Sequence, residues 1–120
     1  MIVAVGIDLI EIDRVKKLIT TYPDQLNRIF TQKELRKASD KRRTTNLAEL
    51  FAAKEAVFKV LGTGWQKGLN WTDIEIAKPN VVLKEKAKKI ARLLKIASIQ
   101  VDFSSTKTKA VAHAIGVRAS

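Results

Sequence analysis

Leu47-Ala-Glu-Leu-Phe-Ala-Ala-Lys-Glu-Ala-Val-Phe-Lys-Val-Leu-Gly-Thr-Gly64 is the stretch around which the rest of the chain is arranged. From Leu47 to Leu61 it has no proline or glycine and carries only Glu49, Lys54, Glu55 and Lys59 as charges. A helix that is apolar on most sides belongs inside a protein. Leu47, Leu50, Phe51, Phe58 and Leu61 recur at i, i+3, i+4 spacing, and at about 100° per residue they form one stripe. Lys54 falls on that stripe, Glu55 lies beside it, and Lys59 stands one turn beyond Glu55 on the same flank. Unpaired charge is costly to bury, so these groups call for partners, a metal or a ligand. A snorkelling lysine with a surface i,i+4 pair would account for the same pattern.

Outward from this helix, Ile2 to Ile10 is a nearly continuous apolar run, the pattern of a strand covered on both faces. Asp8 interrupts it, on the face shared by Ile2, Ala4, Gly6 and Ile10, where Gly6 leaves room for a close approach. A carboxylate there needs hydrogen bonds or a ligand, unless Asp8 ends the strand and caps the next helix. The following helix runs to about Thr20, with Ile12, Val15, Leu18 and Ile19 inward and Arg14, Lys16 and Lys17 outward. A short helix opens at Pro23 and carries Arg28, and Thr31 to Glu34 matches a capping box for another. Thr44, Thr45 and Asn46 are candidate caps for the long helix, and Gly62-Thr63-Gly64 ends it in a turn able to offer N–H groups to a phosphate. Beyond a loop over 65–73 come a short strand at Ile74 to Ile76 and a helix from about Val82 to Lys95. The stripe of that helix is Leu83, Ala87, Ile90 and Leu94, and its six lysines and arginines face out. Strands at 98–104 and 110–117 form a terminal hairpin, with His113 read as a core or interface residue.

One domain accommodates 120 residues. At 46% hydrophobic and 29% charged residues, the composition is that of an ordinary globular protein. The chain has no cysteine, which excludes disulfides and thiol chemistry and makes a cytoplasmic location the default. Its opening run is a poor signal peptide and too short to span a membrane, so no membrane partner is expected. The net charge of +11 is spread along the chain, +4 over residues 1–60 and +7 over residues 61–120. Such a surface attracts nucleic acid, acidic lipid, phosphorylated small molecules or an acidic protein, and charge alone does not choose among them.

Asp8 and Glu55 have the hard oxygen character that Mg²⁺ takes, and such an ion completes its shell with waters and substrate phosphates. Lys54, Lys59 and the Gly-Thr-Gly turn suit a phosphate. The residues by themselves therefore suggest an Mg²⁺-dependent enzyme acting on a phosphorylated or pyrophosphate substrate.

Two segments sharpen this reading. Gly6-Ile-Asp-Leu-Ile-Glu-Ile-Asp-Arg-Val15 and Phe51-Ala-Ala-Lys-Glu-Ala56, followed by Lys59 and Gly62-Thr63-Gly64, resemble the signature segments of the holo-[acyl-carrier-protein] synthases. These form the small, trimeric class of 4'-phosphopantetheinyl transferases. The resemblance implies an α+β fold, a single domain over residues 1–120 with an antiparallel sheet packed around a long central helix. It implies transfer of the 4'-phosphopantetheine group of coenzyme A to a serine of apo acyl carrier protein, releasing adenosine 3',5'-bisphosphate. Asp8 and Glu55 would hold Mg²⁺ and, with Lys59, carry the catalysis. Lys54, Lys59, Gly62, Thr63 and Gly64 would contact coenzyme A, joined by Ser105, Thr106 and Lys107. Arg14, Lys17 and Arg28 would dock the acidic carrier protein, and active sites at the interfaces of a homotrimer would give the terminal hairpin a neighbour's coenzyme to face. The chain departs from the family at Leu50, where an arginine is common, and at Ser104-Ser105-Thr106, where a histidine is usual. Both positions are associated with the nucleotide end of coenzyme A. A small basic nucleic-acid-binding protein would explain the charge but leaves Asp8 and the Lys54-Glu55-Lys59 group without a role. An inactive interaction subunit on the same fold is the other alternative.

Overall fold

The computed structural model describes residues 1–38, 40–62 and 68–119. Five strands form one antiparallel sheet: β1 (Ile2–Glu11), β2 (Ile74–Ala77), β3 (Asn80–Leu83), β4 (Ser98–Ser105) and β5 (Lys109–Val117). Their order is β1-β5-β4-β3-β2. The helices are α1 (Ile12–Thr21), α2 (Leu26–Ile29), α3 (Gln32–Lys37), α4 (Arg43–Leu61) and α5 (Glu85–Leu93). The architecture is the α+β arrangement that the sequence implies.

α4 lies across one face of the sheet, against β1, β5, β4 and β2. Its Ala48, Ala52, Ala53 and Ala56 are fully buried, and Ala110, Ala112 and Ala114 of β5 are buried too. Small side chains on both surfaces let helix and sheet approach closely, and two glycines carry this further. A Cβ on Gly6 would stand 2.1 Å from the Ala56 carbonyl oxygen, and one on Gly116 would stand 2.8 Å from Val60 Cγ1. The space that Gly6 leaves in β1 is thus occupied by the backbone of α4. On the other side of α4, Trp71 stacks on Phe51 with ring centroids 5.0 Å apart and meets Phe58 edge-on at 4.8 Å.

Several boundaries differ from the sequence reading. α4 begins at Arg43, so Thr44, Thr45 and Asn46 lie in its first turn, with Arg42 at the N-cap. Its C-cap is Gly62, at φ 71° in the left-handed region that glycine adopts without strain. The capping box at Thr31 and Glu34 forms as read. Val82 and Leu83 belong to β3, hairpinned to β2, and the helix after them is confined to Glu85–Leu93. Periodicity alone does not separate the short β3 from the helix, because Leu83, Ala87 and Ile90 fit the helical period. The core residues of α5 are Ala87 and Ala91, and Leu94 is exposed.

β1 is not covered on both faces within this chain. Gly6 and Ile10 point at α4, whereas Val5, Ile7 and Leu9 stand more than half exposed on the opposite side. His113, cross-strand from Ile7, is exposed on that same open face and is not a core residue.

Replacing Gly6 with alanine should cost about 1–3 kcal/mol, the usual range for overpacking a close contact, because the new methyl would displace the Ala56 carbonyl. Urea unfolding measures it; a loss below about 0.5 kcal/mol would show that β1 and α4 separate freely.

Candidate active site

The crossing of β1 over α4 brings Asp8 and the last turns of α4 together. Asp8 is inside β1, paired with Ala112, and does not cap α1, whose N-cap is Glu11. Lys59 Nζ lies 2.9 Å from Asp8 Oδ1 and donates to the Ile7 carbonyl oxygen at 2.6 Å. The Asp8 side chain is only 14% exposed, while Lys59 stays half open to solvent. Glu55, one turn before Lys59, is half-buried. Burial pushes its carboxyl above the ordinary 4.5 and the negative charge of Asp8 adds to this, with Lys59 and Arg14 opposing. Asp8, Glu55, Lys59 and Arg14 therefore form one electrostatic cluster drawn from β1, α4 and α1. Glu55 itself has no hydrogen-bond or ion-pair partner among the described residues.

Two neighbouring carboxylates, one of them unpaired and raised by burial and by the other's charge, are a donor set suited to a hard divalent cation that takes its remaining ligands from water and phosphate. Among the described residues no group of three or more His, Cys, Asp or Glu stands together. Asp8 and Glu55 would be the whole protein contribution.

Lys54 does not join this cluster. It is fully buried on another side of α4, where Nζ is 2.9 Å from Glu34 Oε1 and donates to the carbonyls of Trp71 (2.9 Å) and Ile74. Those three acceptors take all three of its protons, so its expected phosphate contact is corrected to a structural role. Its partner Glu34 was legible only as a capping-box residue. In the fold its Oε1 also accepts the Thr31 N–H and its Oε2 the Ile76 N–H. Thr31 in turn donates to Glu75 at 2.6 Å, so one buried network ties α3, α4 and β2 together. A buried lysine in the stripe of the long helix was the signal that a buried acid existed somewhere; spacing could not say which.

The other candidate residues are spread around the cluster. Gly62 is the α4 C-cap, whereas Thr63 and Gly64 lie outside the described residues. Ser105 closes β4 and Thr106 organises the hairpin turn, its Oγ1 accepting the N–H groups of Thr108 and Lys109. Ile12 N–H donates to the Thr108 carbonyl, which binds this turn to the start of α1. No hydrogen bond or ion pair joins Ser105, Thr106 or Lys107 to Asp8, Glu55 or Lys59 among the described residues. Lys17 is exposed one turn after Arg14 on α1. Arg28 lines a separate cavity of about 700 Å³ with Asn70, Trp71 and Thr72. Leu50 lines another of about 350 Å³ with Lys37, Asn46, Lys78 and Phe103.

The family model described as the 4'-phosphopantetheinyl transferase superfamily matches residues 4–116. The chain belongs to that superfamily. The holo-[acyl-carrier-protein] synthase of Caldanaerobacter subterraneus subsp. tengcongensis is 46% identical over 98% of this chain and 96% of its own length. That of Solibacter usitatus is 38% identical, covering 96% and 98%. Among solved structures, the Neisseria meningitidis holo-[acyl-carrier-protein] synthase superposes with a TM-score of 0.87 at 25% identity, over 98% of this chain and all of the other. The Helicobacter pylori holo-[acyl-carrier-protein] synthase, solved in complex with coenzyme A, gives 0.81 at 28% identity, over 94% and 99%. This phosphopantetheinyl transferase is thus an enzyme of the holo-[acyl-carrier-protein] synthase class, and the matched region contains the whole Asp8-Arg14-Glu55-Lys59 cluster.

The two charged neighbours on α4 should respond oppositely to neutralisation. Lys54→Met leaves Glu34 buried without its cation and should lower stability by about 3–5 kcal/mol, partly recovered by adding Glu34→Gln. Glu55→Gln should raise Tm at neutral pH in the presence of a chelator. Because the folded state raises this pKa, the stabilisation tied to Glu55 is fully present below 4.5 and is lost as pH rises through the higher folded value. The Tm advantage of the variant should accordingly vanish in acid. Denaturant and thermal unfolding at both pH values check the pair; a Glu55→Gln variant less stable at neutral pH would contradict the repulsion.

Proposed function

We propose that the chain transfers the 4'-phosphopantetheine arm of coenzyme A to a serine hydroxyl of an apo acyl carrier protein, with Mg²⁺, releasing adenosine 3',5'-bisphosphate. The observation that carries this reading is the joining of Asp8, Glu55 and Lys59 across the β1–α4 crossing, in a chain matched to synthases of that name over nearly its full length. The serine oxygen attacks the β-phosphorus of the pyrophosphate, the bond to the bridging oxygen breaks, and the nucleotide departs with that oxygen. Mg²⁺, held by Asp8 and Glu55, supplies neutralisation of pyrophosphate charge when bound. Lys59 keeps Asp8 oriented and leaves its half-exposed ammonium facing the phosphates. Glu55, or a water linked to the metal ion, is the candidate base for the serine proton. Gly62 would end α4 beside the phosphates, with Ser105, Thr106 and Lys107 serving a coenzyme bound by a neighbouring copy.

Arg14 and Lys17 are exposed on α1, and Arg14 lies within electrostatic reach of Glu55. With Arg28 they offer an acidic carrier protein a docking face that leads to the reacting centre, and its effect should fade with salt. The open apolar face of β1 and β5, with Ile2, Val5, Ile7, Leu9 and Val111 exposed, supports a homotrimer that buries it. A cytoplasmic enzyme of this kind has coenzyme A and carrier protein at hand.

Incubation with coenzyme A, Mg²⁺ and apo carrier protein, read by intact mass, should show addition of the phosphopantetheine arm and loss of that addition with chelator. Asp8→Asn and Glu55→Gln should abolish transfer in folded protein, and Arg14→Glu should raise the KM for carrier without changing coenzyme A binding. No mass gain with any carrier tested would overturn the reading. Separately, light scattering should return three times the 13.4 kDa chain mass; a monomer at micromolar concentration would overturn the trimer while leaving the transfer reading to its own assay.

A further inference from the structure

Beyond the reaction, the least explained surface is the far end of α5 and the turn after it. Leu93 is 83% exposed and Leu94 44% exposed, at the point where the chain reverses through Lys95 in the left-handed region (φ 62°). The helical period assigned Leu94 to the core, but Ala87 and Ala91 are the residues that pack, which leaves both leucines at a projecting tip. Cations surround them. Residues 84–95 carry Lys84, Lys86, Lys88, Lys89, Arg92 and Lys95 against the single acid Glu85. Lys84 is 3.7 Å from Glu75; the other five have no ion-pair partner among the described residues. Lys89 and Arg92 are within one turn of Leu93, and Lys95 follows the pair directly. Lys88 and Arg92 also border a cleft of about 330 Å³ whose other walls include Leu83, Ile96 and Ile99.

Aliphatic side chains at a projecting tip, ringed by unpaired cations, are the chemistry of a surface that meets an anionic lipid bilayer. The leucines enter the headgroup boundary while the cations meet the lipid phosphates. Duplex nucleic acid would use the same cations but gains nothing from two exposed leucines, and among the described residues no aromatic side chain stands exposed beside them for stacking on single strands. An acidic protein would need a shaped counterpart to the tip; a fluid bilayer needs none. We propose that the α5 tip is a peripheral membrane-binding site that docks the enzyme on anionic bilayers through Leu93 and Leu94, with Lys89, Arg92 and Lys95 as the electrostatic contact. No helix among the described residues is long and apolar enough to cross a membrane, so the attachment is to the surface and reversible.

The test is sedimentation of the full chain with vesicles of phosphatidylglycerol and phosphatidylcholine, against vesicles of phosphatidylcholine alone. The protein should pellet with the anionic vesicles only. Leu93→Gln with Leu94→Gln, and separately Lys89→Glu with Arg92→Glu, should each weaken binding by more than about tenfold. Lys33→Glu with Arg36→Glu, an equal charge change on α3, should weaken it by less than about threefold. Leu93→Gln alone serves should the double variant lose its melting transition, because Leu93 is the more exposed of the two. Leu93→Trp should show a blue-shifted emission on adding anionic vesicles. Unchanged binding by the leucine variants would overturn the proposal, as would equal loss in the α3 control. Retention of duplex DNA without vesicles would make the tip a nucleic-acid face, and a changed oligomeric mass for Leu93→Gln would make it a contact between copies; either result replaces the membrane.

Discussion

The close crossing of β1 over α4 is the contact on which the rest of this structure depends. A strand and a helix ordinarily keep their backbones apart by the thickness of their side chains. Here Gly6 removes one layer and Ala56 thins the other, so that strand Cα and helix carbonyl lie almost in contact. The benefit is positional. Asp8 is two residues along β1 from Gly6 and on the same face, Glu55 adjoins Ala56, and Lys59 is one turn further. A bulkier pair at the crossing would push Asp8 away from Lys59 and leave a carboxylate half-buried without its cation, a costly arrangement. Packing and site geometry are therefore set by the same pair of small residues, and the alanines of β5 continue the contact across the sheet.

Lys54 and Lys59 show how one residue type serves two ends on one helix. Five residues at about 100° each place them roughly 140° apart around the axis. Lys59 emerges where α4 leaves the sheet, half in solvent, with one acid partner and a carbonyl. Lys54 points into the interior, where only a complete set of acceptors makes its charge tolerable, and Glu34 with two carbonyls supplies that set. Glu34 is committed to α3 through the capping box and to β2 through the Ile76 amide. The network thus fixes α4 to α3 and to β2 at one edge of the sheet while the glycine contact fixes it to β1 at the other, and Glu55 and Lys59 are held between two constraints.

Much of this was legible from residue types alone. The buried helix, the capping box, the hairpin and the anomaly of Asp8 within an apolar run follow from periods of 3.6 and 2 and from the cost of burying charge. Where the reading failed, the reason was a choice that only packing makes. Val82 and Leu83 fit a helical stripe as well as a strand, and pairing with Ile74 and Glu75 decided it. His113 alternates with apolar neighbours, yet its face of the sheet is left open by the described residues. Lys54 and Lys59 stand five residues apart on one helix; their fates diverge because Glu34 reaches one from α3 and Asp8 reaches the other from β1, and pairing across 20 and 51 residues leaves no local trace.

Glu55 brings the energetic side of the arrangement into view. Lys59 neutralises Asp8, not both acids, so Glu55 carries burial and the field of its neighbour without a bond of its own. That is a poor design for stability and a good one for the proposed site, which would receive a cation and anionic phosphates together. A second lysine placed to pair with Glu55 would relieve the repulsion, but it would fill the place of the proposed metal ion. The unpaired carboxylate is affordable because the strain is local: the adjacent Lys54 points to another side of the helix, where Glu34 and two backbone carbonyls match it fully. Stability is concentrated on the other faces of α4, which leaves the flank of Glu55 and Lys59 free to remain electrostatically incomplete.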